Sequence, residues 1–254
     1  MVNIMKQLNL ILDIDQTLVQ TLWTQQVPKD ILDQYKTKLN YVDINVYGVE
    51  MTVFERPGLQ QFLDFAFANF NVAILTHSLM PYAEQIVKAL VLNKPGRHLT
   101  FFLDRTYIDE QQASSYGGLK NLDYLLKVNP RPKGWSKCNT FILDDNFEVC
   151  KTNVGNCLTL PKFRLATVNG PMNVLSTFRM YTFHPRGVDD TVLYDTKKVL
   201  EGLLRQYRSL AERVGMKRLC TRPDVPLLKL FNLRRNIPRD LIERWNYQVF
   251  ENAK

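Results

Sequence analysis

Two aspartates that follow an apolar stretch are the residues near the start of this sequence best suited to chemistry. Residues 8–12 are apolar except for Asn9, which predicts a strand buried on both faces in a parallel sheet. Asp13 and Asp15 come next, and residues at this spacing in an extended strand face the same side. Two like charges there repel, and a cation would remove the cost of burying them. The stretch therefore predicts a divalent metal, a phosphate ligand and a reactive carboxylate.

Further polar groups follow later apolar segments in the same way. Because the carboxyl ends of strands in an open parallel sheet form the ligand crevice, we expect these groups to converge although they span about 130 residues. Together they offer a nucleophile, an acid, a hydroxyl donor, a cation and a second carboxylate pair, which is what phosphoryl transfer through an aspartyl-phosphate requires. The set comprises Asp13, Asp15, Thr17, Thr76, Lys120, Asp144 and Asp145.

Hydrophobic periodicity predicts the elements that position these groups. Short apolar strands alternate with amphipathic helices, which is typical of an α/β fold with a parallel sheet. We expect strands at residues 71–75, 99–103, 140–143 and 157–160, a hairpin over 41–54, and helices at 29–38, 59–69, 81–92 and 120–127. We expect irregular structure at residues 18–28 and 39–40, which flank the helix at 29–38, and also at residues 104–118 and 162–187. Further helices are predicted at 189–214 and 239–250.

The overall composition limits the classes of protein that fit this sequence. The chain has 254 residues and a net charge of +8. Residues 205–254 hold twelve Lys and Arg against five Asp and Glu, so +7 of that charge lies in the tail. A basic tail predicts an acidic partner such as nucleic acid or a phosphoprotein, although a solvated helical face is the equal alternative.

The cysteines and the terminal sequence predict where the protein acts. The four cysteines show no C-x-x-C spacing, so we expect reduced thiols. We see no signal peptide and no apolar run of about 18 residues, which a membrane span needs. These features predict a soluble protein of the nucleus or cytoplasm, with no membrane partner.

Five ordered segments resemble the motifs of a known family. They are similar to the haloacid-dehalogenase superfamily, and in detail to the RNA polymerase II C-terminal-domain phosphatases with the NLI-interacting-factor domain. The segments are L-D-I-D-Q-T-L-V at 12–19, R-P-G-L-Q-Q-F-L at 56–63, I-L-T-H-S at 74–78, Y-G-G-L-K-N-L at 116–122 and I-L-D-D at 142–145. The resemblance covers roughly residues 7–163 and extends to relatives in large DNA viruses of insects, which would place the protein in a host nucleus.

Three features depart from the family pattern. Gln16 replaces the usual Glu, Gly117 and Gly118 loosen the spacing around Lys120, and the helical tail lies outside the minimal family domain. The sequence thus predicts a phosphatase domain at residues 1–163 and a basic, mainly helical extension at 164–254, packed on or beside it.

The resemblance implies a fold and a role for each candidate residue. The fold is a parallel sheet flanked by helices, with small inserts in place of a large cap. Mg²⁺ binds Asp13, the main-chain carbonyl of Asp15 and Asp145, while Asp144 supports the metal or Lys120. Asp13 attacks phosphorus, and Asp15 protonates the leaving oxygen before it deprotonates water. The substrate phosphate contacts Thr17, Thr76 and Lys120, and Tyr82 lines the substrate groove.

Plainer roles stay open for the same residues. Asp13 and Asp15 also fit a turn after a strand, and Asp144 and Asp145 fit a turn or a cap. Thr76 fits a helix cap, Lys120 fits a solvated surface, and Tyr82 fits core packing. His77 is better read as a packing or supporting group than as a catalytic one.

Three functions are consistent with the sequence. The first is an Mg²⁺-dependent protein serine/threonine phosphatase, because a site without a large cap is open to a phosphoprotein or phosphopeptide. The second is a scaffold or nucleic-acid-associated assembly protein with little catalysis. The third is a phosphatase of nucleic-acid ends.

Overall fold

The computed structural model describes residues 8–113, 120–127, 133–169 and 180–214. Its strands, in chain order, are β1 Asn9–Leu12, β2 Val19–Trp23, β3 Tyr41–Val46, β4 Val49–Glu55, β5 Asn71–Leu75, β6 Phe102–Leu103, β7 Thr140–Asp144, β8 Cys157–Thr159, β9 Ala166–Asn169 and β10 Met180–Phe183. Its α-helices are α1 Lys29–Lys38, α2 Leu59–Asn69, α3 Met80–Ile86, α4 Arg105–Gln112, α5 Leu122–Lys127, α6 Phe147–Thr152 and α7 Val192–Val214. A π-helical turn at Val87–Val91 continues α3, and 3₁₀ turns lie at Thr24–Gln26 and Pro185–Asp189.

The central sheet has five parallel strands in the order β6-β5-β1-β7-β8. Strand β1 lies in the middle, where Leu12 pairs with Ile74 of β5 and Leu143 of β7. After β1 the chain forms β5 and β6 on one side of it and then β7 and β8 on the other side. The sheet therefore has its topological switch point at β1. The carboxyl end of β1, which carries Asp13, therefore lies between those of β5 and β7.

Helices cover both faces of this sheet. Leu10 and Leu12 join a core with α2, α3 and α7, whereas Ile11 joins a core with α4, α5 and α6. This alternation explains why β1 is apolar throughout. The predicted α/β architecture with flanking helices and a C-terminal helical extension is confirmed. The division into domains at residue 163 stays a prediction, although α7 packs in the first of these cores.

A small antiparallel sheet in the order β2-β4-β3 is inserted between β1 and β5. It includes the predicted hairpin, whose turn has Tyr47 and Gly48 at positive φ. The expectation of irregular structure over residues 18–28 is wrong for Val19–Trp23. This segment pairs with β4 and buries Val19 and Leu22.

Two other segments are more ordered than the sequence predicts. Residues 105–112 are predicted to be irregular but form α4, and the side chain of Asp104 before the helix accepts a hydrogen bond from the Thr106 N–H as its N-cap. The segment expected to be irregular over 162–187 contains β9 and β10, which pair with each other. Strand β6 is shorter than predicted. The predicted helix at 239–250, most of the basic tail and residues 114–119 lie outside the described residues.

The expectation of reduced cysteines is wrong in this structure. Cys150 and Cys157 form a disulfide with a Cα–Cα separation of 4.9 Å, and Cys138 is also disulfide-bonded. The Cys150–Cys157 bond joins α6 to β8 across a tight loop. The path of the chain between α6 and β8 brings Cys150 and Cys157 together, and the spacing of the cysteines along the sequence does not reveal this path. Among the described helices, none is long and apolar enough to cross a membrane.

Candidate active site

Asp13 lies at the carboxyl end of β1 in the middle of the sheet. Its N–H donates to the carbonyl of Leu143 on β7 at 3.0 Å, so the parallel ladder continues into the site. Its side chain is buried. Strand β1 ends at Leu12, and the chain turns sharply through Gln16, which has φ 61°.

Lys120 pairs with two carboxylates at this edge of the sheet. Its Nζ donates to Asp13 Oδ1 and, at 2.6 Å, to Asp144 Oδ2 at the end of β7. The Lys120 side chain has no exposed surface, so the alternative of a solvated lysine is wrong. Burial by itself lowers the pKa of the Lys120 amine, but the charges of Asp13 and Asp144 raise it above its ordinary value, and the ammonium persists at neutral pH.

Two buried amides that sequence reasoning missed hold the main chain around Lys120. Asn153 donates to the Lys120 carbonyl at 3.0 Å and accepts from the Leu122 N–H at 2.8 Å, while Gln111 accepts from the Asn121 N–H at 2.9 Å. Lys120 has φ 49°, a conformation that L-residues rarely adopt. The neighbouring hydrogen bonds stabilise this conformation and so fix where the ammonium lies. No spacing or motif in the sequence indicates these contacts.

Three carboxylates converge into a cluster that fits a metal ion. One carboxylate oxygen from each of Asp13, Asp144 and Asp145 lies within 4.8 Å of the other two. Among the described residues, these three form a group of potential metal ligands. Burial raises the pKa of Asp144 to about 7 and also raises that of Asp145, and the charge of Asp13 adds to both effects. Hard carboxylate oxygens are the donors that Mg²⁺ prefers. A cation would offset this crowding of negative charge.

Asp145 has two further partners besides the cluster. Thr17, which is fully buried, donates its hydroxyl to Asp145 Oδ1 at 3.0 Å and accepts from the Asp145 N–H at 3.0 Å. Lys162 Nζ lies 3.4 Å from Asp145 Oδ2 with its side chain 40% exposed. Thr17, predicted to contact substrate, thus orients a carboxylate of the cluster in this structure. Lys162 is a second site cation that the sequence pattern did not reveal.

Charge counting around the cluster gives a direct argument for a bound cation. When ionised, Asp13, Asp144 and Asp145 carry three negative charges, and the ammonium groups of Lys120 and Lys162 oppose two of them. One negative charge is left in a largely buried site. A bound cation would offset this charge, which agrees with the chemistry of the donor set.

The carboxylate of Asp15 is not part of this cluster and is hydrogen-bonded in a network of hydroxyl groups. Tyr82 donates to Asp15 Oδ1 at 2.5 Å and Ser78 donates to Oδ2 at 2.6 Å, while Thr21 lies 2.5 Å from the Tyr82 hydroxyl. Burial raises the pKa of Asp15 to about 6, and the two hydroxyls partly oppose that rise. Such a carboxyl exchanges a proton near neutral pH. Tyr82 touches the predicted acid; its predicted contact with substrate stays a prediction.

Thr76 directly follows β5 and lies next to this network. It is buried, its N–H donates to the carbonyl of Leu103, and its hydroxyl accepts from the Ser78 N–H at 3.1 Å. Leu79, not Thr76, is the N-cap residue of α3, so the capping alternative is wrong for Thr76. Burial lowers the pKa of neighbouring His77 to about 4, and its buried Nε2 has no hydrogen-bond partner among the described residues. A neutral ring agrees with the supporting role predicted for His77.

The fold and the site together define a class of protein. A parallel α/β sheet presents an aspartate beside a buried lysine and a carboxylate cluster, with a second carboxyl of raised pKa two residues away. These are the parts of a phosphatase of the haloacid-dehalogenase type. A family model described as NLI interacting factor-like phosphatase matches residues 8–178. The chain belongs to this family, and it is a phosphatase.

Individual relatives agree with this assignment. The chain is 31% identical over 160 residues to the CTD phosphatase-like protein 355R of Invertebrate iridescent virus 6, covering 61% of this chain and 85% of the relative. The corresponding protein of Invertebrate iridescent virus 3 is 35% identical over 100 residues, covering 37% of this chain and 52% of the relative. An uncharacterised FCP1 homology domain-containing protein of Schizosaccharomyces pombe is 27% identical over 128 residues, covering 47% of this chain and 52% of the relative.

The fold resembles a solved phosphatase structure. The structure of Fcp1, titled as an essential RNA polymerase II CTD phosphatase, superimposes with a TM-score of 0.61 at 16% identity, covering 89% of this chain and 69% of that chain. A structure of the fission yeast protein, Fcp1-R271A bound to beryllium fluoride, gives the same TM-score and identity, covering 89% of this chain and 70% of that chain. At this identity the likeness concerns the fold.

Proposed function

We propose that the protein is an Mg²⁺-dependent protein serine/threonine phosphatase that acts through a phosphorylated Asp13. The observation that carries the proposal is the position of Asp13, whose carboxylate contacts the buried ammonium of Lys120 and lies in the cluster with Asp144 and Asp145. The carboxylate of Asp13 is thereby held beside the positive charge that must offset the negative charge of the phosphate oxygens during phosphoryl transfer.

The residues that would hold Mg²⁺ are Asp13, Asp145 and the main-chain carbonyl of Asp15, with Asp144 as a further ligand or as a support for Lys120. When bound, the ion supplies positive charge that lets a phosphate dianion approach a carboxylate. Thr17 keeps the Asp145 carboxylate oriented through its two hydrogen bonds. The side chain of Asp15 stays engaged by Tyr82 and Ser78, which leaves it to proton transfer.

Asp13 and Asp15 divide the reaction between them. Asp13 attacks phosphorus in line, and an Asp13 oxygen–phosphorus bond forms as the ester bond to the leaving oxygen breaks. Protonated Asp15 gives its proton to that oxygen. It then takes a proton from the water that hydrolyses the phospho-aspartate, which restores Asp13. The pKa of about 6 for Asp15 supports both roles near neutral pH.

Lys120 and Thr76 complete the proposed phosphate site. Lys120 offsets the charge of Asp13 in the resting state and that of the phosphate oxygens during transfer. Thr76, predicted to hold a phosphate oxygen, is linked to the Asp15 network because Ser78 contacts both residues.

Phosphoproteins are the proposed substrate class. The viral relatives are named CTD phosphatase-like proteins, and the resemblance to a family with small inserts supports an open site that accepts a peptide chain. Action in a nucleus, and an acidic partner for the basic tail, stay predictions of the sequence.

A direct comparison of substrates tests the proposal. Phosphoserine peptides and 3′-phosphorylated oligonucleotides are offered to the full chain with Mg²⁺ or with excess chelator, and Asp13→Asn is the matched inactive control. We expect release of phosphate from the peptides that needs Mg²⁺ and is lost in Asp13→Asn. Preferential turnover of the oligonucleotide would replace this substrate class with nucleic-acid ends, and undiminished turnover by Asp13→Asn would refute the mechanism.

A further inference from the structure

A fully buried arginine connects the candidate metal site to the C-terminal extension. Arg56 follows β4 and has no exposed side-chain surface. Its Nε and Nη2 donate to the two carboxylate oxygens of Asp190, each at 2.9 Å. The remaining donors reach main-chain carbonyls of Thr17 at 3.0 Å and Pro161 at 2.7 Å. The guanidinium therefore joins three separate parts of the chain by charge-assisted hydrogen bonds.

One of those parts is the turn that carries the metal-site residues. The turn holds Gln16 at positive φ, and the Gln16 carbonyl accepts from the Phe163 N–H at 2.7 Å. Thr17 next to it holds Asp145 through both its hydroxyl hydrogen and its oxygen. Arg56 thus fixes the main chain of the residue whose side chain orients a cluster carboxylate.

Asp190 supplies the counter-charge that Arg56 needs in the interior. Its side chain is 14% exposed, and Oδ1 also accepts from the Val192 N–H at 2.9 Å, which caps the start of α7. A buried guanidinium without a carboxylate would be an uncompensated charge and would move toward water. Asp190 lies beyond residue 178, where the match to the family model ends.

We propose that Asp190 is a positioning residue for the metal site, acting through Arg56 and Thr17 on Asp145. The start of α7 on this account supports the metal site from outside, because Asp190 completes the charge pair that holds the Gln16–Thr17 turn. The proposal rests on the proposed metal-dependent function. Asp190 acts on the geometry of the cluster and does not contact substrate. Its loss therefore weakens the affinity for the metal more than it lowers turnover at saturating metal.

A second buried arginine elsewhere provides a matched control. Arg97 donates to Asp64 Oδ1 at 2.5 Å and to the main-chain carbonyls of Gln60 and Val91. The side chain of Arg97 is 3% exposed. These hydrogen-bond partners lie in α2 and in the π-helical turn after α3, and none of them belongs to the candidate metal site. Loss of either carboxylate therefore leaves a buried guanidinium without its pair. Only the loss of Asp190 acts on the metal-site turn.

The test measures binding of Mg²⁺ to full-length wild type, Asp190→Asn and Asp64→Asn by titration calorimetry, and by the rise in Tm that Mg²⁺ produces. We expect the Kd for Mg²⁺ to rise about tenfold in Asp190→Asn, the lower end of the effect of losing an outer partner of metal ligands. Asp64→Asn lowers Tm but keeps the wild-type Kd. At saturating Mg²⁺, kcat for a phosphopeptide in Asp190→Asn returns to within about twofold of wild type, because the ligands themselves are intact.

Equal Kd values for Mg²⁺ in all three proteins, with a lower Tm in both variants, would overturn the proposal and leave Asp190 a structural residue. If Asp190→Asn does not fold by circular dichroism, Arg56→Lys replaces it. This variant keeps a charge opposite Asp190 but loses the fork that reaches Thr17, so the same rise in Kd is expected and an unchanged Kd refutes the proposal. Failure of the wild type to bind Mg²⁺ would instead refute the metal-dependent function on which the proposal rests.

Discussion

Substitution of Lys120 by Met removes the single ammonium that Asp13 and Asp144 share. Methionine is similar in length and leaves no large cavity, so the main effect is electrostatic. Two buried carboxylates then face each other, together with Asp145 in the same cluster. Breaking a buried ion pair by removing one partner costs about 3–5 kcal/mol of the free energy of unfolding. On the proposed mechanism catalysis also fails, because the transferred phosphate loses the positive charge of Lys120.

The pH dependence of this loss follows from the same charges. Burial already raises the pKa of Asp144 from 3.8 to about 7. Folded protein therefore binds a proton that the unfolded chain releases, and this contribution to stability is lost as pH rises through 7. Without Lys120, which lowers the pKa of Asp144, protonation becomes still more favourable in the folded state. The destabilisation is therefore smaller at pH 5 than at pH 8.

Urea unfolding of Lys120→Met and wild type at pH 5 and pH 8, with chelator present, measures both effects. Lys137→Met is the matched control, because Lys137 and its partner Asp123 are both partly exposed and such pairs contribute about 0–1 kcal/mol. A loss in Lys120→Met no larger than in Lys137→Met, or one that is greater at pH 5, would refute the assignment of Lys120 as the buried counter-charge of Asp13 and Asp144.

Two further substitutions test the surroundings of the proposed acid, Asp15, and of the proposed metal site. Tyr82→Phe removes a hydrogen bond that lowers the pKa of Asp15. The pKa of Asp15 therefore rises, and the alkaline limb of the pH profile of kcat/KM shifts to higher pH. No shift, or a shift to lower pH, would contradict this prediction. Lys162→Met removes a cation that shares Asp145, and the half-saturating concentration of Mg²⁺ falls up to about fivefold, the effect of an exposed pair worth about 1 kcal/mol. A rise in that concentration would show instead that Lys162 supports the site.

The sequence was sufficient where a local pattern determines the structure. Helices α1 and α2 have the predicted bounds of 29–38 and 59–69, since apolar spacing and adjacent Pro or Gly define each of them. Asp13, Lys120, Asp144 and Asp145 come together as predicted. This follows because a parallel sheet aligns the carboxyl ends of strands that are far apart in the chain.

Pairings between distant polar residues could not be predicted from the sequence. Arg56 and Asp190 are 134 positions apart, and Asn153 contacts Lys120 from a loop after α6. Neither contact has a period or a motif, because each depends on how packed elements orient single side chains. Strand β2 was missed for a related reason. Its residues alternate weakly, and pairing with β4 decides their structure.

The most direct test of the central claim is to identify the residue that carries phosphate during turnover. The full chain is mixed with a radiolabelled phosphopeptide and Mg²⁺, quenched in acid within one turnover, digested and analysed by mass spectrometry. We predict a labile acyl phosphate on the peptide that contains Asp13, absent in Asp13→Asn. Label on Asp15, Ser78 or His77, or phosphate release with no labelled protein at any time, would contradict the account.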